Sequence, residues 1–289
     1  MKVLILGIDG MIGHKIAHSL NQDYDLYGSS RKDIDIKDLK ISNGKIVYHD
    51  FLFHNLEKLL KNIYPDIIIN CIGITTRRGV LDSISNTQFL NSELPHLLDN
   101  WSKKNNSKLI HLSTDCVFSG KTGNYNDDSI PDASDLYGLS KAKGEVKNSS
   151  SLTLRCSMIG REVYNFTELF EWLFSMKGKS LEGYNKVLYS GITTVRMGKI
   201  IKSIIKNHIS MSGIYNISSV PISKFDLLKK LSKAFELNID IKENPNIVSN
   251  KILISKKFTE ITGINTPNWD DLILEFKKDC KKYKSLYKN

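Results

Sequence analysis

The chain opens with a short apolar segment that leads directly into closely spaced glycines. Lys2–Leu6 is followed by the sequence GIDGMIG at residues 7–13, and an amphipathic stretch begins at once. A buried strand, a tight glycine turn and a helix start are typical of a dinucleotide-binding fold, because the helix N-terminus and the exposed backbone N–H groups favour a pyrophosphate. This arrangement restricts the possible folds most, and it favours a strand over a signal peptide for the first ten residues.

The three glycines have separate expected roles in such a turn. Gly7 permits the turn, Gly10 lets backbone N–H groups approach a pyrophosphate, and Gly13 allows close packing of helix on strand. A glycine-rich turn that binds nothing is the alternative.

Short apolar segments alternate with amphipathic helical stretches through roughly the first 160 residues. Near-continuous Val, Ile and Leu content predicts strands covered on both faces, and the alternation predicts an α/β fold with a Rossmann-type, doubly wound parallel sheet. The predicted strands are Lys2–Leu6, Tyr24–Gly28, Lys45–Tyr48, Asp66–Gly73, Lys108–Ser113 and Leu152–Ser157. The predicted helices are Ile12–Leu20, Leu56–Asn62, Ser92–Lys104 and Leu136–Val146.

Beyond residue 158 the pattern changes, and it predicts a small α/β C-terminal lobe that binds substrate. Gly213–Ser218 is predicted to be a strand, and Ser223 is predicted to cap the helix Lys224–Glu236. We expect residues 1–158 and about 187–218 to form the nucleotide-binding domain. We expect residues 159–186 and 219–289, again with approximate limits, to form the substrate-binding lobe.

The formal net charge of +10 is concentrated at one end of the chain. The last thirteen residues carry six Lys and one Asp, which gives +5, and a Lys-rich terminal helix is usually a solvated surface rather than a nucleic-acid arm. Only six of the 41 basic residues are Arg, a choice typical of sites where a planar fork binds phosphate or carboxylate. We therefore expect small anionic ligands and no nucleic-acid partner.

Other broad features exclude further classes of protein. No apolar run approaches the ~20 residues that cross a bilayer, so no membrane partner is expected. Four cysteines without a CxxC pair indicate neither a zinc site nor a disulfide framework. We expect a cytoplasmic protein without metal, and the sequence leaves a monomer and a homodimer both open.

The end of the second predicted strand bears on the choice of cofactor. Residues 27–32, YGSSRK, contain no carboxylate, whereas an acidic residue here binds the ribose hydroxyls of NAD. Ser30 and Arg31 therefore favour the 2′-phosphate of NADPH, and NADH is the alternative if Arg31 only decorates a loop. After the third strand, Asp50 and Phe51 are candidates to contact the adenine, although Asp50 is equally suited to cap the next helix.

Hydroxyl side chains end the fifth predicted strand, and the helix that follows carries a tyrosine and a lysine one turn apart. The i, i+4 spacing puts Tyr137 and Lys141 on one face. Hydride reduction of a ketone makes an alkoxide that needs a proton, and a nearby ammonium is expected to lower the tyrosine pKa from about 10 by roughly two to three units. Thr114, with Ser113, is predicted to hydrogen-bond the carbonyl oxygen.

The same segments resemble a known enzyme family. Residues 111–120, HLSTDCVFSG, and 137–145, YGLSKAKGE, are similar to signatures of the dTDP-4-dehydrorhamnose reductases, a branch of the extended short-chain dehydrogenase/reductase superfamily. Tyr125, Asp128 and Pro131 match in order, as does the GITT segment at 191–194. The resemblance covers nearly the whole chain and is clearest over the first 160 residues.

The resemblance implies a function and a set of roles. It implies a Rossmann domain with a small lobe, in which NAD(P)H reduces C4 of a nucleotide-activated 4-keto-6-deoxysugar during biosynthesis of deoxysugars for surface polysaccharide. It also makes Thr114, Tyr137 and Lys141 the catalytic trio, with Lys141 holding the nicotinamide ribose.

The candidate site residues form three groups. The catalytic candidates are Ser113, Thr114, Tyr137 and Lys141. The candidate cofactor contacts are Gly7, Asp9, Gly10, Met11, Ile12, Gly13, Ser30, Arg31, Asp50, Phe51, Cys71, Ile72, Gly73, Tyr137 and Lys141. The candidate contacts to a dTDP-, UDP- or GDP-linked sugar are Thr75, Arg77, Asp115, Cys116, Val117 and Arg155.

Departures from the family pattern leave the sugar and the nucleotide open. Cys116 stands where the family commonly has Tyr, and TTRR at residues 75–78 replaces an alanine-rich turn. Arg77 or Arg78 either meets a phosphate or is a solvated loop cation, and Arg155 either meets substrate or anchors a loop.

The alternative functions are a 4-epimerase that retains its cofactor and a non-catalytic dinucleotide-binding subunit. The second expects a decayed catalytic trio, which this chain does not have.

Overall fold

Parallel strands and the helices between them make up most of the regular structure. The structure, a computed structural model, describes residues 1–75 and 84–287. Its strands are β1 (Lys2–Leu6), β2 (Asp25–Ser30), β3 (Lys45–Tyr48), β4 (Ile67–Asn70), β5 (Lys108–Ser113), β6 (Ser151–Arg155), β7 (Met158–Ile159), β8 (Ser180–Tyr184), β9 (Val187–Tyr189), β10 (Ile192–Thr193), β11 (Gly213–Asn216), β12 (Ile222–Ser223), β13 (Asp240–Asn244) and β14 (Ser249–Asn250). Its α-helices are α1 (Gly13–Leu20), α2 (Leu56–Ile63), α3 (Ile84–Gln88), α4 (Leu94–Asn105), α5 (Leu136–Lys143), α6 (Leu169–Ser175), α7 (Thr194–Asn207), α8 (Lys224–Ala234), α9 (Lys256–Thr262) and α10 (Trp269–Lys282).

Seven of the strands form one parallel sheet in the order β11-β6-β5-β4-β1-β2-β3. The predicted Rossmann-type α/β fold is therefore confirmed, and β11 joins the sheet next to β6. The strand order reverses between β1 and β4. In open α/β sheets such a reversal leaves a crevice at the carboxyl ends of the strands, where ligands bind.

Apolar side chains cover both faces of this sheet. Val3 and Ile5 of β1 pack into a cluster with side chains from α1, α7 and α10. Leu4 and Leu6 point the other way and pack with side chains from α2 and α4. All four side chains are fully buried, which explains why residues 3–6 of β1 are all apolar rather than alternating with polar residues.

Short strands build the smaller region that lies beyond the main sheet. Strand β8 pairs with β13, and β9 pairs with β12 and β14. The predicted domain limits remain a prediction. They assign β9 to the nucleotide-binding domain, whereas its partners β12 and β14 lie in the predicted lobe. Ser223 caps α8 as predicted, because its hydroxyl accepts a hydrogen bond from the Asp226 N–H at 3.0 Å. Within residues 1–75 and 84–287, no helix has the length and apolar character needed to cross a bilayer.

Candidate active site

The glycine turn after β1 is held against the end of β2. Gly7 has a φ of +73°, which favours glycine, and its N–H donates to the Ser29 carbonyl at 3.2 Å. A Cβ at Gly13 would overlap the Gly7 carbonyl oxygen, and a Cβ at Gly10 would lie 3.2 Å from the same atom. The absence of side chains therefore lets α1 begin close behind the turn and leaves the backbone of the turn open on its outer side.

A cleft of about 410 Å³ extends from this turn along the carboxyl ends of β1, β2 and β4. It brings together candidate cofactor contacts from four separate parts of the chain. These are Gly7, Asp9, Gly10, Met11, Ile12, Ser30, Arg31, Asp50, Phe51, Cys71, Ile72 and Gly73. Gly13 lies behind the turn, where it serves packing. Asp50 does not cap α2, because the Asn55 side chain accepts the hydrogen bond from the Lys58 N–H at 2.9 Å.

Positively charged side chains lie at the rim of the cleft where β2 ends. Arg31 is exposed there, and the Ser30 hydroxyl accepts a hydrogen bond from the Lys32 N–H at 2.9 Å. The Lys32 ammonium lies 4.6 Å from the centre of the Tyr164 ring, which also lines the cleft. Two cations and a hydroxyl, without a carboxylate at residues 28–32, fit a phosphate group at this rim.

A second pocket of about 290 Å³ opens from the same cleft. All four catalytic candidates line it, so the structure brings Ser113 and Thr114 together with Tyr137 and Lys141. The residues that line both the cleft and this catalytic pocket are Met11, Ile12, Cys71, Ile72, Gly73, Thr75 and Glu168. A molecule bound along the cleft can therefore reach the catalytic side chains.

Local features at the start of α5 bring Tyr137 close to Thr114. The Asp135 carboxylate caps α5 by accepting a hydrogen bond from the Gly138 N–H at 2.9 Å. A Cβ at Gly138 would overlap the Cys116 carbonyl oxygen, so glycine lets the helix approach the turn after β5. Thr114 Oγ1 accepts a hydrogen bond from the Cys116 N–H at 3.1 Å, and the Thr114 side chain also hydrogen-bonds Tyr137.

The environment of Tyr137 favours its protonated form. Burial raises the pKa of the phenol above its ordinary value, the Cys116 thiol adds to the increase, and the hydrogen bond with Thr114 opposes it. The prediction that Lys141 lowers this pKa is therefore wrong. The Lys141 ammonium instead donates to the Leu112 carbonyl at 2.7 Å, and burial lowers its own pKa to about 8. Desolvation of the phenol outweighs the attraction expected from helical spacing.

Buried polar side chains from β4 and β5 position Lys141. His111 Nε2 lies 3.5 Å from Lys141 Nζ, and His111 Nδ1 lies 3.2 Å from Asn70 Nδ2. Asn70 Oδ1 accepts a hydrogen bond from the Ile72 N–H at 3.1 Å, which sets the orientation of the amide. Burial, reinforced by Lys141, keeps the pKa of His111 well below its ordinary value, so the imidazole stays neutral. Side chains from β4 and β5 thus fix the lysine at the bottom of the pocket.

Arg155 is part of a buried ion pair and does not line the catalytic pocket. Its Nε and Nη2 atoms donate to the two carboxylate oxygens of Glu145 at 2.8 and 2.7 Å, and its Nη1 donates to the Asp127 carbonyl. The Ser113 hydroxyl also donates to Glu145, at 2.8 Å. Of the two roles open from the sequence, the structure supports that of an anchor. The same carboxylate orients Ser113 at the wall of the pocket.

The other candidate substrate contacts divide between the pocket and its surroundings. Thr75 and Cys116 line the catalytic pocket. Val117 does not, because its side chain is fully buried in a separate apolar cluster, and Asp115 is buried where it accepts a hydrogen bond from the neighbouring threonine. Arg77 lies outside the described residues. In the described parts of the chain, no group of three or more His, Cys, Asp or Glu side chains could hold a metal ion.

The smaller region contributes part of the wall of the site, through three residues that are not among the candidates from the sequence. Glu168 lines both the cleft and the catalytic pocket, and it accepts a hydrogen bond from Thr75 Oγ1 at 3.2 Å. Tyr189 and Lys224 line the catalytic pocket, with the ammonium 3.9 Å from the centre of the ring. These three residues belong to elements far apart in the chain and share no motif. No spacing in the sequence identifies them as a group.

Known proteins resemble this chain over most of its length. The family model described as RmlD substrate binding domain matches residues 1–277. A dTDP-4-dehydrorhamnose reductase from Aggregatibacter actinomycetemcomitans is 27% identical over 237 residues, which cover 78% of this chain and 76% of that protein. Methionine adenosyltransferase 2 subunit beta from Xenopus laevis is 26% identical, with 63% of this chain and 58% of that protein covered.

A solved structure shows the same fold. The dTDP-4-dehydrorhamnose reductase from Bacillus anthracis, in complex with NADP, superposes with a TM-score of 0.77 at 21% identity, covering 96% of this chain and 99% of that one. The sequence resemblance to the dTDP-4-dehydrorhamnose reductases is confirmed by these comparisons. The chain belongs to the RmlD substrate binding domain family.

Proposed function

We propose that this protein is an NADPH-dependent reductase of the 4-keto group of a nucleotide-activated 4-keto-6-deoxysugar. The observation that carries the proposal is that Thr114, Tyr137 and Lys141 line one pocket, and that this pocket opens from the cleft built on the glycine turn. The named reductases among its relatives support the same activity. Such a reductase serves the biosynthesis of deoxysugars for surface polysaccharide.

The cleft fits a dinucleotide. The open backbone of the turn at Gly7 and Gly10, together with the N-terminus of α1, suits a pyrophosphate. Arg31 and Lys32 suit the 2′-phosphate that distinguishes NADPH from NADH, and Lys141 suits the nicotinamide ribose. NADPH bound in this cleft would supply the hydride that reduces the ketone carbon.

The side chains of the catalytic pocket supply the proton and hold the ketone. The Thr114 hydroxyl, which donates to the Asp115 carboxylate in the structure, would turn to donate its hydrogen bond to the ketone oxygen, where negative charge develops. The Tyr137 hydroxyl then transfers its proton to this oxygen, so that hydride and proton together convert the carbonyl group to an alcohol. Its raised pKa keeps Tyr137 protonated at neutral pH, as a proton donor must be.

Part of the substrate pocket is built by residues of the smaller region. Lys224 of the smaller region brings positive charge to the pocket, which suits a nucleotide diphosphate. Thr75 and Cys116, which come from the first 120 residues, also line this pocket. We propose a dTDP-, UDP- or GDP-linked sugar, in keeping with the family. The substitution of cysteine for the tyrosine common in the family makes position 116 a place where sugar preference can differ.

Turnover of a 4-keto-6-deoxysugar nucleotide tests the proposal. Purified protein is incubated with NADPH and dTDP-, UDP- or GDP-linked 4-keto-6-deoxysugars, and NADPH absorbance is followed with the sugar omitted as the control. We expect one NADPH to be oxidised for each ketone reduced. Isomerised sugar without net oxidation would identify a 4-epimerase instead. NADPH binding without turnover would identify a non-catalytic subunit instead.

A further inference from the structure

The C-terminal segment, defined as residues 279–287, packs against the helix that follows the glycine turn. The Lys15 ammonium of α1 is buried and lies 2.5 Å from the Asp279 carboxylate. The Tyr283 ring stacks on His18 with ring centres 3.9 Å apart and an angle of 9°. An ion pair that is almost fully buried is costly to form unless its surroundings hold it in place. This contact is therefore a specific one.

A hydrogen-bonded chain leads from the C-terminal segment to the glycine turn itself. His14 is fully buried, and its Nδ1 lies 2.7 Å from the Gly10 carbonyl oxygen. Because a carbonyl only accepts, Nδ1 carries the hydrogen. Burial holds the pKa of His14 well below its ordinary value, so the ring is neutral and its Nε2 accepts. The Tyr287 hydroxyl, 3.1 Å from Nε2, is therefore the donor at the end of this chain.

The Tyr287 ring also contacts the start of a segment that lines the cleft. Residues 161–168, here termed the strap, contribute Glu162, Tyr164 and Glu168 to the lining of the dinucleotide cleft. At the start of the strap, the Arg161 guanidinium lies 4.7 Å from the centre of the Tyr287 ring. One phenol thus touches both the strap and, through the histidine, the glycine turn.

The strap depends on such contacts to keep its conformation. Its residues Asn165 and Phe166 have φ values of +71° and +55°; asparagine tolerates this region, but it is unfavourable for the bulky side chain of phenylalanine. The Glu162 carboxylate accepts hydrogen bonds from the Thr167 and Glu168 N–H groups at 2.6 and 2.8 Å. Strained backbone persists where the surrounding structure holds it, so a contact at one end of the strap affects the shape of the cleft.

We propose that Tyr287 is a positioning residue for the dinucleotide: it ties the glycine turn to the strap, so that the C-terminal segment and the bound dinucleotide stabilise each other. The inference rests on the proposed function only in that a dinucleotide occupies the cleft. Loss of the hydroxyl leaves His14 Nε2 buried without a donor and frees the ring that holds the Gly10 carbonyl. The Gly10 carbonyl then keeps only the longer hydrogen bond from the His14 backbone N–H at 3.3 Å. A carbonyl oxygen held less tightly turns outward more readily and repels a pyrophosphate, so binding weakens without any change in a residue that touches the ligand.

Replacement of one phenol oxygen tests the proposal directly. Tyr287→Phe keeps the ring on Arg161 and removes the hydroxyl, and we expect the NADPH dissociation constant, measured by fluorescence titration well below the unfolding temperature, to rise about 5- to 30-fold. Tyr283→Phe is the matched control, because it keeps the ring stacked on His18 and its hydroxyl has no hydrogen-bond partner within residues 1–75 and 84–287. We expect the control to bind within about twofold of the unchanged protein. Equal dissociation constants for Tyr287→Phe and the unchanged protein would overturn the proposal.

A second measurement needs no substitution, and it serves if Tyr287→Phe fails to fold. Thermodynamic reciprocity requires that, if the C-terminal segment strengthens dinucleotide binding, the bound dinucleotide also stabilises that segment. Hydrogen–deuterium exchange of the unchanged protein should therefore slow at residues 279–287 when NADPH is added, while α9 stays unchanged. Exchange that is equally fast with and without bound NADPH in this segment would refute the coupling. Turnover of sugar nucleotides does not enter either measurement, so a failure of the reductase proposal is seen separately.

Discussion

Tyr137 combines a partly buried phenol with a hydroxyl partner at the end of a strand, and its removal should affect chemistry more than binding. We expect Tyr137→Phe to lower kcat by about 10²–10⁴, because the alkoxide then lacks its proton donor. The NADPH dissociation constant should stay nearly constant, since the ring and the cleft remain. Steady-state kinetics and fluorescence titration measure the two effects separately.

A second phenol in the same pocket gives a matched control. Tyr189 also lines the catalytic pocket, and its hydroxyl is hydrogen-bonded to Ser157 rather than to Thr114. Tyr189→Phe should therefore lower kcat by less than about tenfold. Turnover that is the same in Tyr137→Phe as in the unchanged protein would remove Tyr137 from the mechanism.

Arg31 provides a test of cofactor choice. Arg31→Ala removes one cation from the rim at the end of β2, and we expect it to weaken NADPH binding by roughly tenfold while NADH binding changes little, because only NADPH carries the 2′-phosphate. Dissociation constants for both nucleotides, measured at the same ionic strength, provide the comparison. An equal loss of affinity for NADPH and NADH would show that Arg31 does not contact this phosphate.

The catalytic residues could be predicted from the sequence, whereas their electrostatics could not. Ser113, Thr114, Tyr137 and Lys141 follow from a strand end and one helical turn, and the structure places all four in one pocket. The pKa of Tyr137 depends on burial and on the neighbouring Cys116 thiol, and neither is encoded in local spacing. The prediction from the sequence rests on the attraction between charges alone, whereas the desolvation of the phenol has the larger effect on its pKa.

The position of helix α5 depends on the absence of a side chain at Gly138. In Gly138→Ala the added Cβ would overlap the Cys116 carbonyl and lie 2.5 Å from the Ala133 Cβ, so the helix must shift away from the turn after β5. We expect kcat to fall at least tenfold and the free energy of unfolding to fall by about 1–3 kcal/mol, as Tyr137 separates from Thr114. Kinetics and urea unfolding measure the two effects.

An exposed position on the same helix supplies the control for this change. The Leu139 side chain is 42% exposed, so Leu139→Ala alters α5 without changing its distance from the turn. We expect kcat within about twofold and a stability change below about 1 kcal/mol. A Gly138→Ala protein with unchanged kcat would show that close approach of α5 is not needed for catalysis.

Elements of the main sheet are predictable from the sequence because their burial is local and regular. The prediction of Lys108–Ser113 matches β5 in full, and the prediction of Leu56–Asn62 differs from α2 by one residue at its end. Strands β8 and β13 were not predicted. Each has only five residues, of which several are polar. The two strands pair with each other, although some 60 residues of chain separate them. Pairing over such a distance leaves no periodic signal.

Burial shifts the pKa values of titratable groups across the whole molecule in two opposite directions. Lysines with lowered pKa values are Lys15, Lys108 and Lys141. Thiols and phenols with raised pKa values are Cys71, Cys116, Cys156, Cys280, Tyr137, Tyr164, Tyr189 and Tyr287. The lysines bind fewer protons in the folded than in the unfolded protein, which raises stability as pH rises towards 10.5. The thiols and phenols retain protons that the unfolded chain loses near pH 9–10, which lowers stability with rising pH.

The second group is larger, so the free energy of unfolding should fall as pH rises from about 8.5 to 10.5. Each group contributes up to about 1.4 kcal/mol per pH unit while its unfolded form is ionised and its folded form is not. Urea unfolding at half-unit pH steps measures the slope. Cys280→Ala removes one buried thiol whose folded pKa is raised to about 12, and its slope should be shallower than that of the unchanged protein above pH 9. A free energy of unfolding that stays constant or rises over this range would mean that the buried lysines outweigh the thiols and phenols.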